Sequence, residues 1–201
     1  MKGFLKKDLY LTIGYCRSIF LIVAVFIVIG CVQTDNYFFI YYPAIMVSLL
    51  AVTLLSYDER EHFCTYAAAM PQTRATYVSA KYLISLIYGM VCVAVIVLVQ
   101  AIFGEFAGKD FLFLVGSLLI LSLFTPAVAL PFMFKYGVEK GRLAYYIMIG
   151  FSTAAALLMM NAGYRGRLGG DVLFALLGAG AVILFAVSWL LSVRFYTKRE
   201  F

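Results

Sequence analysis

Few residues in this sequence could carry acid–base or nucleophilic chemistry. His62 is the only histidine among the 201 residues. A zinc protease needs the two histidines of an H-E-x-x-H motif, and a serine hydrolase needs a base beside its nucleophile. The segment GFSTA at residues 150–154 is the closest approach to a nucleophile elbow, but no histidine accompanies it. Its small residues are typical of close helix packing, so we predict no catalytic residues.

Metal and nucleotide motifs are equally scarce. The cysteines are single and widely spaced, so they form no C-x-x-C pair, and one histidine is too few to complete a Cys/His zinc site. A phosphate-binding P-loop ends in Gly-Lys-Ser/Thr, whereas AGKD at residues 107–110 ends in aspartate. We therefore expect no metal, no cofactor and no ATPase site in this chain. The cysteines, which we interpret as small apolar packing residues, are Cys16, Cys31, Cys64 and Cys92.

The distribution of charge indicates the elements that must position the remaining polar residues. Of all residues 65% are hydrophobic and only 13% are charged, against roughly 25% charged in soluble domains. The charges are clustered and leave six windows without any charge. The length of each window is close to that of one helical membrane crossing, which requires about 20 residues. We predict an all-α polytopic membrane protein with a single transmembrane domain over residues 1–201. Its six spans are expected at about 17–34, 37–57, 82–104, 111–134, 143–162 and 172–193.

A basic amphipathic helix is predicted at residues 1–16, before the first span. Apolar and small side chains repeat along one helical face, and lysines point elsewhere, as in helices that lie in the membrane interface. The alternative is a simple extension of span 1. The predicted face consists of Leu5, Leu9, Thr12, Ile13 and Cys16, and the lysines are Lys2, Lys6 and Lys7.

The loops predict the orientation of the chain. Six spans place both termini on one side, and thirteen of the sixteen lysines and arginines fall on that side. The positive-inside rule therefore predicts that both termini and the polar segment, residues 57–81, are cytoplasmic. The net charge of +6 is explained by this topology and by contact with membrane lipids, so we expect no nucleic-acid partner. Only Lys109, Arg165 and Arg167 fall on the opposite side.

The six uncharged windows bear on the energy source of any transport. Ion-coupled transporters keep ionisable residues inside the bilayer, where they mark the ion path, and none of the six windows contains one. We therefore expect the energy for uphill transport to come from outside this chain. Pro126 and Pro131 are expected to kink the fourth span.

The polar segment contains the pattern of a short amphipathic helix. Four side chains form one apolar stripe, and the acidic cluster at residues 58–61 is predicted to occupy the first turn of this helix. Pro71 is expected to end it. Such a helix suits the groove of a partner protein, although it could also lie on the membrane or on its own bundle. The stripe is formed by Phe63, Tyr66, Ala67 and Met70.

The stretch LLSYDEREHFCTYAAAMPQTRATYVSAKYL, residues 54–83, resembles the region between the second and third spans of ABC-2 type transporter permeases. In that family an acidic or arginine-containing start leads through a short helix to a Leu/Met-Pro-x-Ser/Thr-Arg turn and a lysine at the mouth of span 3. The glycine common after the acidic group is absent here. The matching positions read Glu59-Arg60-Glu61, Met70-Pro71-Gln72-Thr73-Arg74 and Lys81.

The resemblance implies a small six-span permease of the bacterial plasma membrane that works within an ABC exporter. It implies pairing with a second permease copy or a paralogue, and with a separate ABC ATP-binding subunit that binds ATP and Mg²⁺. In that family the polar segment is a coupling helix, and the loop at residues 135–142 is a second contact. The implied coupling residues are Glu59, Arg60, Glu61, Phe63, Tyr66, Met70, Arg74, Lys135, Glu139 and Lys140.

The resemblance further implies export of an amphipathic or hydrophobic substrate, for which we favour a peptide first and a lipid second. An uncharged lumen rich in aromatic residues and methionine suits either. The loop at residues 161–171 is too short for the re-entrant helices of larger relatives. The competing interpretation is a non-ABC membrane scaffold or sensor whose cytoplasmic helix recruits a partner.

Overall fold

Long apolar runs form helices in this chain because a helix satisfies its own backbone hydrogen bonds where no water is available. The computed structural model describes residues 2–32, 38–63, 66, 74–103, 109–141, 143, 146 and 170–198. Within these ranges the elements are helical and no strand occurs, which confirms the predicted all-α class for this part of the chain. The helices are α1 (Lys2–Tyr15), α2 (Arg17–Val32), α3 (Phe38–Ser48), α4 (Leu50–Arg60), α5 (Arg74–Phe103), α6 (Lys109–Tyr136) and α7 (Gly170–Lys198).

Four stretches of the described chain are long and apolar enough to cross a membrane. The helices α3 and α4 together form one of them, and α5, α6 and α7 supply the other three. A fifth results if α1 and α2 are counted as one broken span. The predicted span at residues 143–162 lies outside the described residues except for Leu143 and Tyr146, so the count of six stays a prediction. The four stretches are Phe38–Arg60, Arg74–Ile102, Phe111–Tyr136 and Leu176–Thr197.

The chain bends by 69° between α1 and α2, at the boundary predicted between the interfacial helix and span 1. The face that α1 packs against the bundle is a four-residue repeat that includes an aspartate. Of the predicted apolar face, Leu9 and Ile13 are exposed, at 49% and 66%, while Thr12 and Cys16 are buried. The interfacial position of α1 stays a prediction. The inward repeat consists of Phe4, Asp8, Thr12 and Cys16.

A proline of α6 leaves one backbone carbonyl free to accept a hydrogen bond from a neighbouring helix. Pro126 and Pro131 lie inside α6, which continues through both, and the kink expected there stays a prediction. Because Pro131 has no N–H, the carbonyl of Ala127 lacks its usual helical donor. The Ser188 hydroxyl of α7 donates to that carbonyl over 2.6 Å, and the Tyr82 hydroxyl of α5 lies 2.6 Å from the Ser188 oxygen. This polar contact fixes three helices together.

The described helices pack around two clusters of buried side chains. The pair α6 and α7 has the most extensive contact, while α3 packs between α2, α5 and α6. One cluster lies where α4, α6 and α7 end and where α1 and α5 begin, and we call this the charged end of the bundle. It includes Phe4, Leu54, Tyr77, Phe134 and Tyr196. The other lies further along the spans and includes Cys16, Val23, Ala44, Ile96 and Leu118.

Candidate partner interface

The acidic residues that open the polar segment belong to a span. The predicted placement of residues 58–61 in the first turn of a separate helix is wrong, because α4 continues to Arg60 before it ends. Asp58 and Glu59 therefore lie in the last turn of α4. Carboxylates at a helix C-terminus face the negative end of its dipole, so they need cations or N–H donors from other elements.

His62 marks the end of α4. Its φ is 53°, a left-handed conformation that histidine adopts more readily than most side chains. The N–H groups of Glu61 and His62 donate to the carbonyl oxygens of Tyr57 and Glu59 over 3.0 and 3.3 Å, which satisfies two of the last helical carbonyls. The imidazole is exposed, and the role visible for this residue is to end the helix.

Two aspartates and two lysines form a buried network at the charged end. In α5, Lys81 Nζ lies 2.9 Å from each carboxylate oxygen of Asp8 in α1 and 2.7 Å from Oδ2 of Asp58 in α4. Lys7 of α1 donates a hydrogen bond to Asp58 Oδ1. The Tyr77 hydroxyl donates to Asp58 Oδ2 over 2.7 Å. Side chains thus join α1, α4 and α5.

Charge balance is decisive for this network because three of its four members are shielded from water. The side chains of Asp8 and Lys81 are 1% exposed, and that of Asp58 is 2% exposed, while that of Lys7 is 25% exposed. Two positive and two negative charges sum to zero, so the network as a whole is neutral, with Lys7 at its edge. Ionisable residues within membrane proteins often mark ion paths, but here each has an oppositely charged partner. The arrangement favours a structural role.

A second contact joins α4 to the turn after α6. The Glu59 Oε2 atom accepts a hydrogen bond from the backbone N–H of Val138 over 2.6 Å. Gly137 has a φ of 82°, a left-handed conformation that ends α6 at little steric cost. Gly141 lies against Met133, where an added Cβ would come within 2.8 Å of the Met133 Cα atom. The turn is tight, and Glu59 holds it against α4.

An open cavity of about 530 Å³ lies between α4 and this turn. Four of the predicted coupling residues line it, namely Glu59, Arg60, Glu139 and Lys140. The last three are exposed. Two regions that are far apart in sequence, and that were both predicted to contact a partner, therefore form one surface with charges of both signs. The other lining residues are Ser56, Tyr136, Gly137 and Val138.

The predicted aromatic stripe is divided between the interior and the surface. Phe63 is half-buried, its ring centroid lies 6.2 Å from that of Phe4, and Lys7 Nζ lies 3.6 Å from the Phe63 centroid. Tyr66 is 61% exposed, and its ring lies 5.8 Å from that of Phe63. Met70 lies outside the described residues. Tyr66 is therefore accessible to a partner, while Phe63 supports it from within the chain.

Three other predicted residues lie away from the cavity lining. Glu61 is exposed. The Nη1 atom of Arg74 donates to the carbonyl oxygen of Thr197 over 3.0 Å, which ties the start of α5 to the end of α7. Lys135 lines a different groove, between α6 and α7. The structure thus brings four predicted residues together around the cavity and separates Lys135 from them.

The sequence pattern did not single out the buried network. One signal was present, since Asp8 is the only acidic residue among the first 34 positions. A lone acid in a helix of lysines and apolar residues indicates a specific partner, and the partner here is Lys81. Within the described ranges, no three His, Cys, Asp or Glu side chains are grouped so that they could hold a metal ion.

Comparison with known proteins gives one family. A family model described as an ABC-2 family transporter protein matches residues 3–197, which is nearly the whole chain. Neither the curated proteins nor the solved structures include a match to the chain. The match covers every described helix apart from the terminal residues of α1 and α7.

Proposed function

Because the chain belongs to the ABC-2 family of transporter proteins, we propose that it is the membrane permease subunit of an ABC exporter. A separate ATP-binding subunit binds ATP and Mg²⁺ and docks on the charged end of the bundle. The permease pairs with a second copy or a paralogue, and the charged end faces the cytoplasm of a bacterial cell. The substrate is an amphipathic or hydrophobic molecule, with a peptide favoured over a lipid.

The hydrogen bond between Glu59 and the Val138 N–H is the observation that best supports this proposal. It fixes the end of α4, where the polar segment begins, against the turn after α6, and these two elements form the two sides of one cavity. A partner that inserts between them contacts the ends of two spans, α4 and α6, at the same time. Movement of the partner is thereby transmitted to two transmembrane helices.

Tyr66 is the anchor that the proposal assigns to the interface. Exposed aromatic residues that become buried in a partner contribute more binding energy than the charges around them. The docking surface is the cavity beside Glu59 together with Tyr66. Arg60, Glu61 and Lys140 are exposed charges at this end of the bundle, and their contribution is smaller because exposed charges are screened by water and salt. Phe63 positions the anchor through its packing on Phe4.

The test is co-purification of the permease with its ATP-binding subunit, followed by measurement of the ATPase rate. Tyr66→Ala is expected to weaken subunit binding by about 2 kcal/mol or more, a typical cost for an aromatic anchor, and to lower substrate-stimulated hydrolysis. The matched control is Tyr10→Ala, because Tyr10 is 67% exposed on α1 and lies outside the proposed surface. Both variants should be inserted in the membrane like the wild type.

Equal recovery of the ATP-binding subunit with Tyr66→Ala and with Tyr10→Ala would remove the polar segment from the interface. Recovery of a regulatory protein in place of an ATP-binding subunit would favour the scaffold or sensor interpretation. A purified chain that moves its substrate down a proton gradient without an ATPase would contradict the proposed energy source.

A further inference from the structure

An apolar groove of about 340 Å³ runs between α6 and α7. Side chains spaced one helical turn apart form its two walls. Among the residues that line it are Val128, Pro131 and Phe132 of α6 and Leu184, Val187 and Leu191 of α7.

The floor of the groove is formed by small residues with satisfied polar groups. Ala127 and Ser188 both line it, and the Ser188 hydroxyl donates to the carbonyl that Pro131 leaves without a helical donor. Buried polar groups that are already paired offer little to a polar ligand. The apolar part of the groove therefore suits a hydrocarbon chain.

Among the described residues that line the groove, Lys135 is the one cation, and it lies at one end. Lys135 belongs to its lining and is exposed, and its ammonium lies 4.8 Å from the ring centroid of Tyr136 and 5.2 Å from that of Phe195. Among the described residues that line the groove, none is acidic. The ammonium is consequently held by aromatic faces and stays available to an anion.

We propose that this groove binds one anionic phospholipid, with an acyl chain between α6 and α7 and the phosphate on Lys135. Tyrosine and lysine at the end of a membrane span are residues that lie at headgroup depth. A volume of about 340 Å³ is near the lower end of the roughly 300–1,000 Å³ of small-molecule sites. It suits one hydrocarbon chain better than a folded peptide.

The groove borders the cavity beside Glu59, since Tyr136 lines both, but Lys135 and the α7 wall line the groove alone. Lipid binding at this groove needs no ATP-binding subunit. The bound lipid is a resident ligand that fills the space between two spans, and its role differs from that of an exported substrate.

The test is native mass spectrometry of the delipidated chain, titrated with phosphatidylglycerol or with phosphatidylcholine of the same acyl chains. Wild-type protein should bind one phosphatidylglycerol more tightly than phosphatidylcholine, by roughly fivefold, as expected for one lysine near an anionic headgroup. Lys135→Gln should abolish this preference, and Lys135→Arg should keep it. Lys6→Gln is the matched control, because Lys6 is an exposed lysine at the same end of the bundle.

Filling the groove tests its apolar part. Val187→Trp should reduce binding of both lipids, whereas the same substitution at Val25, an exposed residue of α2, should not. Equal affinity of the wild type for the two lipids would overturn the proposal. An equal loss of preference with Lys6→Gln and Lys135→Gln would also overturn it, since general surface attraction would then explain the selectivity. Displacement of phosphatidylglycerol by an amphipathic peptide that binds independently of Lys135 would likewise exclude a resident lipid.

Discussion

Lys81 is the residue on which the buried network depends most directly, since it contacts both aspartates. Lys81→Met keeps much of the side-chain volume but leaves two buried carboxylates with Lys7 alone. We expect the free energy of unfolding to fall by about 3–5 kcal/mol, the usual effect of removing one partner from a buried ion pair. The measurement is the unfolding midpoint in detergent micelles.

Two further variants make this prediction specific. Lys6→Met removes an exposed lysine of α1 and should change the midpoint little. Adding Asp8→Asn to Lys81→Met restores charge balance, because Lys7 then faces only Asp58, and part of the lost stability should return. A midpoint for Lys81→Met equal to that of the wild type would show that the network contributes no stability.

The sequence could not show this network because ion pairing depends on tertiary contacts. Counting uncharged windows placed Asp58 and Lys81 just outside spans 2 and 3, where exposed charges are expected. In the structure both lie on helices that continue past those limits, and both are buried. The burial of charge depends on α1, which covers this end of the bundle, and no periodicity within α4 or α5 indicates that cover.

At the level of the elements, the turn after α6 should be sensitive to added side-chain volume. Gly141→Ala would place a methyl carbon within 2.8 Å of the Met133 Cα atom, so the backbone must shift. Overpacking of this kind typically costs about 1–3 kcal/mol, and the shift should loosen the contact between Val138 and Glu59. We expect a lower unfolding midpoint in detergent and weaker recovery of the ATP-binding subunit.

Gly14→Ala is the control for this substitution. Gly14 lies in α1, and a methyl group added there would have no neighbouring atom within 4 Å, so alanine should raise helix stability slightly. The same unfolding midpoint for Gly141→Ala and the wild type would mean that the turn adjusts without cost, which would contradict the role of a fixed turn at the interface.

The elements that sequence predicted best are those defined by long uncharged runs. The helices α5, α6 and α7 contain the expected spans at 82–104, 111–134 and 172–193 almost completely. Their ends were less predictable, because a helix continues through charged residues wherever a tertiary partner is present. The end of α4 shows this, since Asp58 and Glu59 stay helical with partners from α1, α5 and the turn after α6.

For the whole molecule, the proposed orientation predicts which residues are accessible from outside the cell. In a cysteine-free version of the chain, Glu61→Cys and Lys6→Cys should be protected from an impermeant thiol reagent. Lys109→Cys, at the opposite end of α6, should react. The physical reason is the excess of lysine and arginine at the charged end.

Labelling in intact cells and after permeabilisation measures this topology. Permeabilisation should make Glu61→Cys and Lys6→Cys reactive, which confirms that they were shielded by the membrane and not by protein. Reaction of Glu61→Cys in intact cells would reverse the orientation and place the docking surface outside, where no ATP-binding subunit could reach it.

The balance of the buried network also has a consequence for assembly of the protein. Lys7 and Asp8 contribute one charge of each sign from α1, and Asp58 and Lys81 do the same from α4 and α5. Separation of α1 from the bundle therefore leaves each part with one ion pair of the network, Lys7 with Asp8 in α1 and Lys81 with Asp58 in the bundle. We expect a chain that lacks residues 1–15 to insert in membranes, and a synthetic peptide of residues 1–16 to bind it and raise its unfolding midpoint. The same peptide with Asp8→Lys should not bind. The first helix would then be a separable segment that binds beside Asp58 and Lys81 through charge complementarity.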